Sequence, residues 1–133
     1  MMWKENYKIG VPLIDQQHEE LFNRVSAFIQ TVQNKGDWEE KMARVKETME
    51  FMQQYVVFHF DAEEEYQESI NYPDIDAHKK AHANFKQGVN NYAQRMSQEG
   101  YKEELVQEFG GKLMAWLIMH VMGTDQKIGQ YVK

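Results

Sequence analysis

The chain contains no cysteine. That excludes a disulfide scaffold, a thiolate zinc site, an iron–sulfur cluster and a cysteine nucleophile, and it leaves nitrogen and oxygen as the ligands for any metal. Proline is scarce, with only two residues in 133, so long helices are not interrupted. There is no excess of basic residues either. Lys and Arg number 15 against 21 Asp and Glu, giving a formal net charge of −6 and a pI near 5.4. A phosphate backbone would be repelled, so nucleic acid is not an expected partner. No apolar stretch approaches the roughly 20 residues that span a bilayer. The N-terminal MMWKENYKIG also lacks the apolar run of a signal peptide. The expected location is the cytoplasm, with no membrane partner.

What is present is ample apolar material, 42% of residues, in a length that suits one domain. Residues 1–14, with Gly10, Pro12 and spaced Trp3, Tyr7, Ile9, Val11 and Ile14, read as an extended arm on the core. Four helical patterns follow, over about 15–35, 38–69, 73–98 and 102–122, with a short continuation beyond. The first face is Leu21, Phe22, Val25, Phe28, Ile29 and Val32. Asp37 and Glu40 form a capping pair for the second helix, whose seam is Val45, Met49, Met52, Val56, His59, Glu63, Tyr66 and Ile70. The third seam is Ile75, His78, His82, Phe85, Val89, Tyr92 and Met96, ended by Gly100. The fourth carries Val106, Phe109, Leu113, Trp116, Leu117 and His120. Amphipathic helices with short connections predict an all-α, antiparallel up-down-up-down four-helix bundle with an extended N-terminal arm. The acidic surface shows no obvious apolar patch and predicts a monomer.

All five histidines fall on these inward faces, His18 on the first helix, His59 on the second, His78 and His82 on the third and His120 on the fourth. A lone histidine on an apolar face is ordinarily a hydrogen-bonded core residue. Five imidazoles with Glu63 in one interior are another matter. Each would need a polar partner, since unsatisfied burial costs about 1–3 kcal/mol per group. A metal centre satisfies them together, and imidazole suits zinc, copper, iron or nickel, while carboxylates bridge ions. The spacing fits: four residues advance about 400°, placing His59 beside Glu63 and His78 beside His82, one turn apart.

Asp125 is the irregular member. Five residues past His120 it would lie about 140° away in a regular helix. The apolar pattern nevertheless resumes at Ile128 and Val132. One extra residue in the turn, a π-bulge near Gly123, brings it back. Of the run Glu63, Glu64, Glu65, only the first is expected to face inward. Gln67 is expected on the helix flank, and the nine methionines are expected to fill gaps in the core.

The stretches GVPLIDQQHEELF, HFDAEE, YPDIDAHKKAHANF and WLIMHVMGTD together resemble the hemerythrin family in its stand-alone bacterial form. The likeness spans nearly the whole chain: one histidine on the first helix, then H-x-x-x-E, H-x-x-x-H and H-x-x-x-x-D in order. It implies a single hemerythrin-like domain over 1–133 with two iron ions in an oxo- or hydroxo-bridged non-haem di-iron centre. His78, His82 and His120 would hold one ion, His18 and His59 the other, and Glu63 and Asp125 would bridge them. The two-histidine ion would keep the open position for dioxygen, against an apolar wall of Leu21, Phe60, Trp116, Leu117 and Val121. Two departures stand out: Val121 where the family often has isoleucine, and Gln67 where many relatives have methionine. Reversible dioxygen binding for storage, delivery or sensing is the expected function, with no catalytic residues and an oxygen-consuming or redox protein as partner. A di-iron enzyme (peroxidase-like, oxidase or nitric-oxide-handling) and an iron-storage or repair protein remain open alternatives. No histidine here has a glutamate three residues earlier, which counts against the carboxylate-rich oxygen-activating bundles.

Overall fold

The structure is a computed structural model that describes residues 7–34, 36–121 and 123–131, with the side chains of Val121 and Thr124 outside that description. Trp3 of the expected arm, the side chain of Val121 in the expected wall, and Val132 also lie outside the described residues.

Among the described residues four α-helices are formed, α1 (Pro12–Gln33), α2 (Trp38–Ser69), α3 (Ile75–Glu99) and α4 (Glu103–Trp116). A π-helical turn, Leu117–Val121, and a 3-10 segment, Thr124–Tyr131, continue α4. Helix α1 packs on α2 and α4, and α2 packs on α3, so the chain is an all-α four-helix bundle. Among the described residues no helix is long and apolar enough to cross a membrane.

The helix ends follow local chemistry. α1 begins at Pro12, three residues ahead of the expected Asp15. Proline is well suited to a first helical position, where its fixed φ helps and its missing N–H is not needed. Asp15 instead sits in the first turn, and its carboxylate accepts hydrogen bonds from the N–H groups of Ile9 (2.7 Å) and Gly10 (3.2 Å). That pins the segment before the helix to it. Asp37 caps α2 by accepting from the Glu39 N–H at 3.2 Å. The α2–α3 turn uses Asn71 at φ 53° and buries Tyr72. α3 stops at Gly100, whose φ of 90° lies in the region that favours glycine.

Two apolar clusters result. The larger runs along the bundle and includes Leu21, Phe22, Phe28, Met52, Val56, Phe109 and Leu113. The smaller is Ile9, Ile14, Tyr72 and Ile128, where the N-terminal segment, the α2–α3 turn and the 3-10 segment meet. Burying each large side chain is worth about 1.5–3 kcal/mol. The polar residues fall between the two clusters along the chain: Ile14, His18, Leu21 on α1, and Phe60, Glu63, Tyr66 on α2.

The surface keeps some apolar side chains: Leu13, Val57, Phe58, Ile118, Met119 and Tyr131 are exposed. They are distributed over α1, α2, the π turn and the 3-10 segment.

The irregular turn after α4 depends on Gly123. A Cβ there would sit 2.6 Å from the carbonyl oxygen of Met119, a backbone atom that cannot swing away. Gly123→Ala should therefore cost about 1–3 kcal/mol, as overpacking does, read as a lower thermal midpoint with the α-helical circular dichroism retained below it. An unchanged midpoint would show that the turn tolerates a side chain.

Candidate metal centre

Each element delivers its polar side chain to one place. α1 supplies His18, α2 supplies His59 and Glu63, α3 supplies His78 and His82, the π turn supplies His120, and the 3-10 segment supplies Asp125. All seven are buried. The π turn explains how Asp125 gets there. Residues Leu117–Val121 take a wider turn than an α-helix, which absorbs the angular excess of the five-residue step.

The ligand-type atoms form two overlapping groups, each within 4.8 Å: Glu63, His78, His82, His120 and Asp125, and His18, His59, Glu63 and Asp125. The carboxylates belong to both because their oxygens are divided. Glu63 Oε1 lies 3.2 Å from His82 Nε2 and 3.4 Å from His78 Nδ1, while Oε2 lies 3.2 Å from His18 Nε2 and 3.4 Å from His59 Nε2. Asp125 Oδ1 lies 3.1 Å from His120 Nε2, and Oδ2 lies 3.1 Å from His18 Nε2. Such a set could hold two cations with both carboxylates spanning them.

The interior is not satisfied by its own hydrogen bonds. His18 Nδ1, His59 Nε2, His78 Nε2, Glu63 Oε1 and both oxygens of Asp125 are buried with no hydrogen-bond partner. Unpartnered burial at about 1–3 kcal/mol per group is tolerable only if something else binds them. The donors are imidazole nitrogens and carboxylate oxygens, without sulfur, which suits a first-row ion such as iron. The residues present therefore fit a two-ion centre.

Electrostatics point the same way. Burial drives the imidazoles of His59 and His120 down to about 3, so both are neutral and ready to donate a lone pair. Burial also acts to lower His18, but the adjacent carboxylates of Asp125 and Glu63 outweigh it and lift His18 to about 9. Burial and the nearby negative charge of Glu63 raise Asp125 well above the usual carboxylate range. Glu63 goes the other way despite burial, held well below that range by the imidazoles of His18, His78 and His82 beside it. Without metal, then, the cluster stores a proton on the His18–Asp125 side while Glu63 carries the charge.

A second layer holds the imidazoles. His59 Nδ1 is 2.7 Å from Gln17 Oε1, His82 Nδ1 is 2.9 Å from Glu64 Oε2, and His78 Nδ1 is 2.8 Å from the side-chain amide of Gln67. Two expectations are corrected by these contacts. Gln67 is fully buried, not on the flank. Seven residues after Phe60 and four after Glu63, it shares their face, which is wider than the narrow seam through Tyr66 and Ile70. Glu64 is not simply solvated, for it leans back onto His82, whereas Glu65 is exposed. Gln17 carries no sequence signal, because its partner His59 lies 42 residues away.

Of the expected wall, Leu21, Phe60 and Leu117 are fully buried, while Trp116 is half-buried. The aromatic rings lean toward the three-histidine group. Phe60 stacks on His82 with centroids 3.8 Å apart, against 5.7 Å to His59, and Trp116 stacks on His120 at 5.5 Å.

Metal competes with the stored proton. Cations bind the deprotonated ligands, so affinity should rise with pH up to about 9, where His18 loses its proton unaided. Loading at neutral pH should release protons, seen as a binding enthalpy that changes with the ionisation enthalpy of the buffer. A buffer-independent enthalpy and a flat pH profile would contradict this assignment of the proton.

Comparisons with known proteins fit this geometry. The family model for the hemerythrin HHE cation binding domain matches residues 9–132. The chain is 32% identical over its whole length to a bacteriohemerythrin of Stenotrophomonas maltophilia, covering 82% of that protein. It is 24% identical to a bacteriohemerythrin of Clostridium acetobutylicum, over 95% of this chain and 96% of the other. It is 29% identical to a myohemerythrin of Theromyzon tessulatum, over 94% of this chain and 88% of the other. With the match running from the segment before α1 through the 3-10 segment that carries Asp125, the chain belongs to the hemerythrin family.

Proposed function

We propose that this chain holds two iron ions in the cluster and binds dioxygen reversibly there. The carrying observation is the division of the carboxylate oxygens, Glu63 turning one toward His78, His82 and His120 and the other toward His18 and His59, and Asp125 turning one toward His78 and His120 and the other toward His18. Three imidazoles at one end and two at the other leave the two-imidazole ion short of a ligand. A reactive site is distinguished from a closed structural one by such an open position. When bound, the iron pair supplies the redox-active centre that takes up and returns dioxygen.

The chain's own residues do the rest. His18, His59, His78, His82 and His120 would hold the ions through neutral nitrogens, and Glu63 and Asp125 would hold both. Leu21, Phe60 and Leu117 are fully buried beside them and exclude water. Five neutral donors with two carboxylates give less anionic support to highly oxidised metal than a carboxylate-rich set would, which favours uptake and release over onward oxidation. The relatives named bacteriohemerythrin and myohemerythrin support the same reading. In this reading the protein is a monomer in the cytoplasm that stores, delivers or senses dioxygen, with an oxygen-consuming or redox protein as its partner. A di-iron oxidase or peroxidase-like enzyme is the second reading. It is favoured by one observation, the buried amide of Gln67 beside His78, since a polar group there can hold water at the centre.

The test is spectroscopic. Anaerobically reduced, iron-loaded protein should gain a visible band on exposure to dioxygen and return to the colourless state when the gas is removed. Irreversible oxidation on first contact would overturn carriage and favour the enzyme. His120→Ala should lose at least one of two ions by elemental analysis while keeping its helical circular dichroism; full retention of both would remove His120 from the ligand set.

A further inference from the structure

The three side chains that touch the histidines from the second layer are not equivalent. Gln17 behind His59 is a neutral amide, almost fully buried, and the buried amide of Gln67 reaches His78 at Nδ1, the nitrogen that also faces Glu63 Oε1. Glu64 behind His82 is a carboxylate, its side chain 20% exposed, with Oε2 at 2.9 Å from His82 Nδ1. The other nitrogen of the same ring, Nε2, faces the cluster, 3.2 Å from Glu63 Oε1 and 3.1 Å from His120 Nε2. The ring is thus clamped between an outer carboxylate and the inner site, and Phe60, stacked on its face at 3.8 Å, prevents it from tilting. Among the described residues no other histidine of the cluster has a carboxylate on its outward nitrogen.

We propose that Glu64 is a positioning residue that makes the two metal positions unequal. A carboxylate accepting from the outer N–H of a metal-bound imidazole fixes the tautomer and increases the electron donation of the ring, and losing such a partner typically weakens metal binding about 10–100-fold. Only the group of His78, His82 and His120 receives this from a charged residue. That position binds its ion more tightly and fills first, and its ion has the lower reduction potential, because stronger donation favours the more oxidised metal. The two-histidine position, backed by the amide of Gln17, is the weaker and more easily reduced one. The side chain of Glu64 is 20% exposed, which limits the desolvation cost of a carboxylate at this place.

This inference rests on the two-ion reading but not on dioxygen carriage, so it is tested with a redox-inert ion. Metal-free wild-type protein is titrated with Zn2+ by calorimetry, and two binding events of different affinity are expected. Glu64→Gln keeps an acceptor for the His82 N–H and removes the charge. It should weaken the tighter event by about tenfold or more and leave the other unchanged, narrowing the gap. Gln17→Glu should do the reverse, tightening the weaker event. In the iron-loaded protein, Glu64→Gln should raise the potential of one ion only. If Glu64→Gln titrates like wild type while Glu64→Ala does not, the hydrogen bond suffices and the charge-based proposal is overturned. It is equally overturned if both variants weaken the two events alike. Loss of reversible dioxygen binding with both Zn2+ events intact would count against the functional reading alone.

Discussion

The bundle is organised around a conflict between burial and polarity. Five imidazoles and two carboxylates occupy one buried space, and several of their atoms have no hydrogen-bond partner. The seven cannot satisfy one another, because each neutral imidazole has a single N–H to give and Glu63 Oε1 and both oxygens of Asp125 are still left without a donor. Cations resolve it. The helices are accordingly arranged so that α1, α2 and α3, together with the π turn and the 3-10 segment beyond α4, reach the same point. The large apolar cluster holds the helices together on one side of that point, and the small cluster of Ile9, Ile14, Tyr72 and Ile128 closes the other. The N-terminal segment matters for the same reason. Tied down by Asp15, and with the Tyr7 carbonyl accepting from Gln126 at 2.6 Å, it helps to cover the end of the bundle where Asp125 enters.

Much of this is legible in the sequence, for identifiable reasons. A helix face repeats every three or four residues, so spacing alone places a histidine inward when it is in register with leucines and valines. That logic locates His18, His59, Glu63, His78, His82 and His120 and the four helices carrying them. Asp125 is legible only as an irregularity, a carboxylate one residue out of step before an apolar pattern that resumes. The spacing predicts a π turn near Gly123. It occupies Leu117–Val121, and Gly123 follows it as the position where a side chain has no room.

What the sequence does not disclose lies one layer out. Gln17 and His59 meet across two helices, 42 residues apart, and no periodicity links them. A narrow seam along α2 misplaces Gln67 and Glu64, whereas His59, Phe60, Glu63 and Gln67 all turn inward. A helix that faces two neighbours at once buries a broader stripe than a two-position seam, and α2 packs on both α1 and α3. The start of α1 differs from expectation for another reason. Proline marks extended chain in many contexts, but at the first helical position it is a helix-starting residue.

That breadth of α2 has a consequence for the centre. Glu63 divides its oxygens between the two groups, and one turn of the same helix around it carries His59 toward the two-histidine group and Glu64 toward the three-histidine group. A rotation of α2 about its axis would therefore not favour one position and spare the other. It would pull Glu63 from both, and with it the contacts to His59 and His82. The rigid coupling of the two positions is thus a property of one helix surface, with α1, α3 and the π turn each adding histidines to a side already defined. Inequality between the positions must then come from chemistry instead of movement: from the count of imidazoles, three against two, and from the charge of the residues that back them.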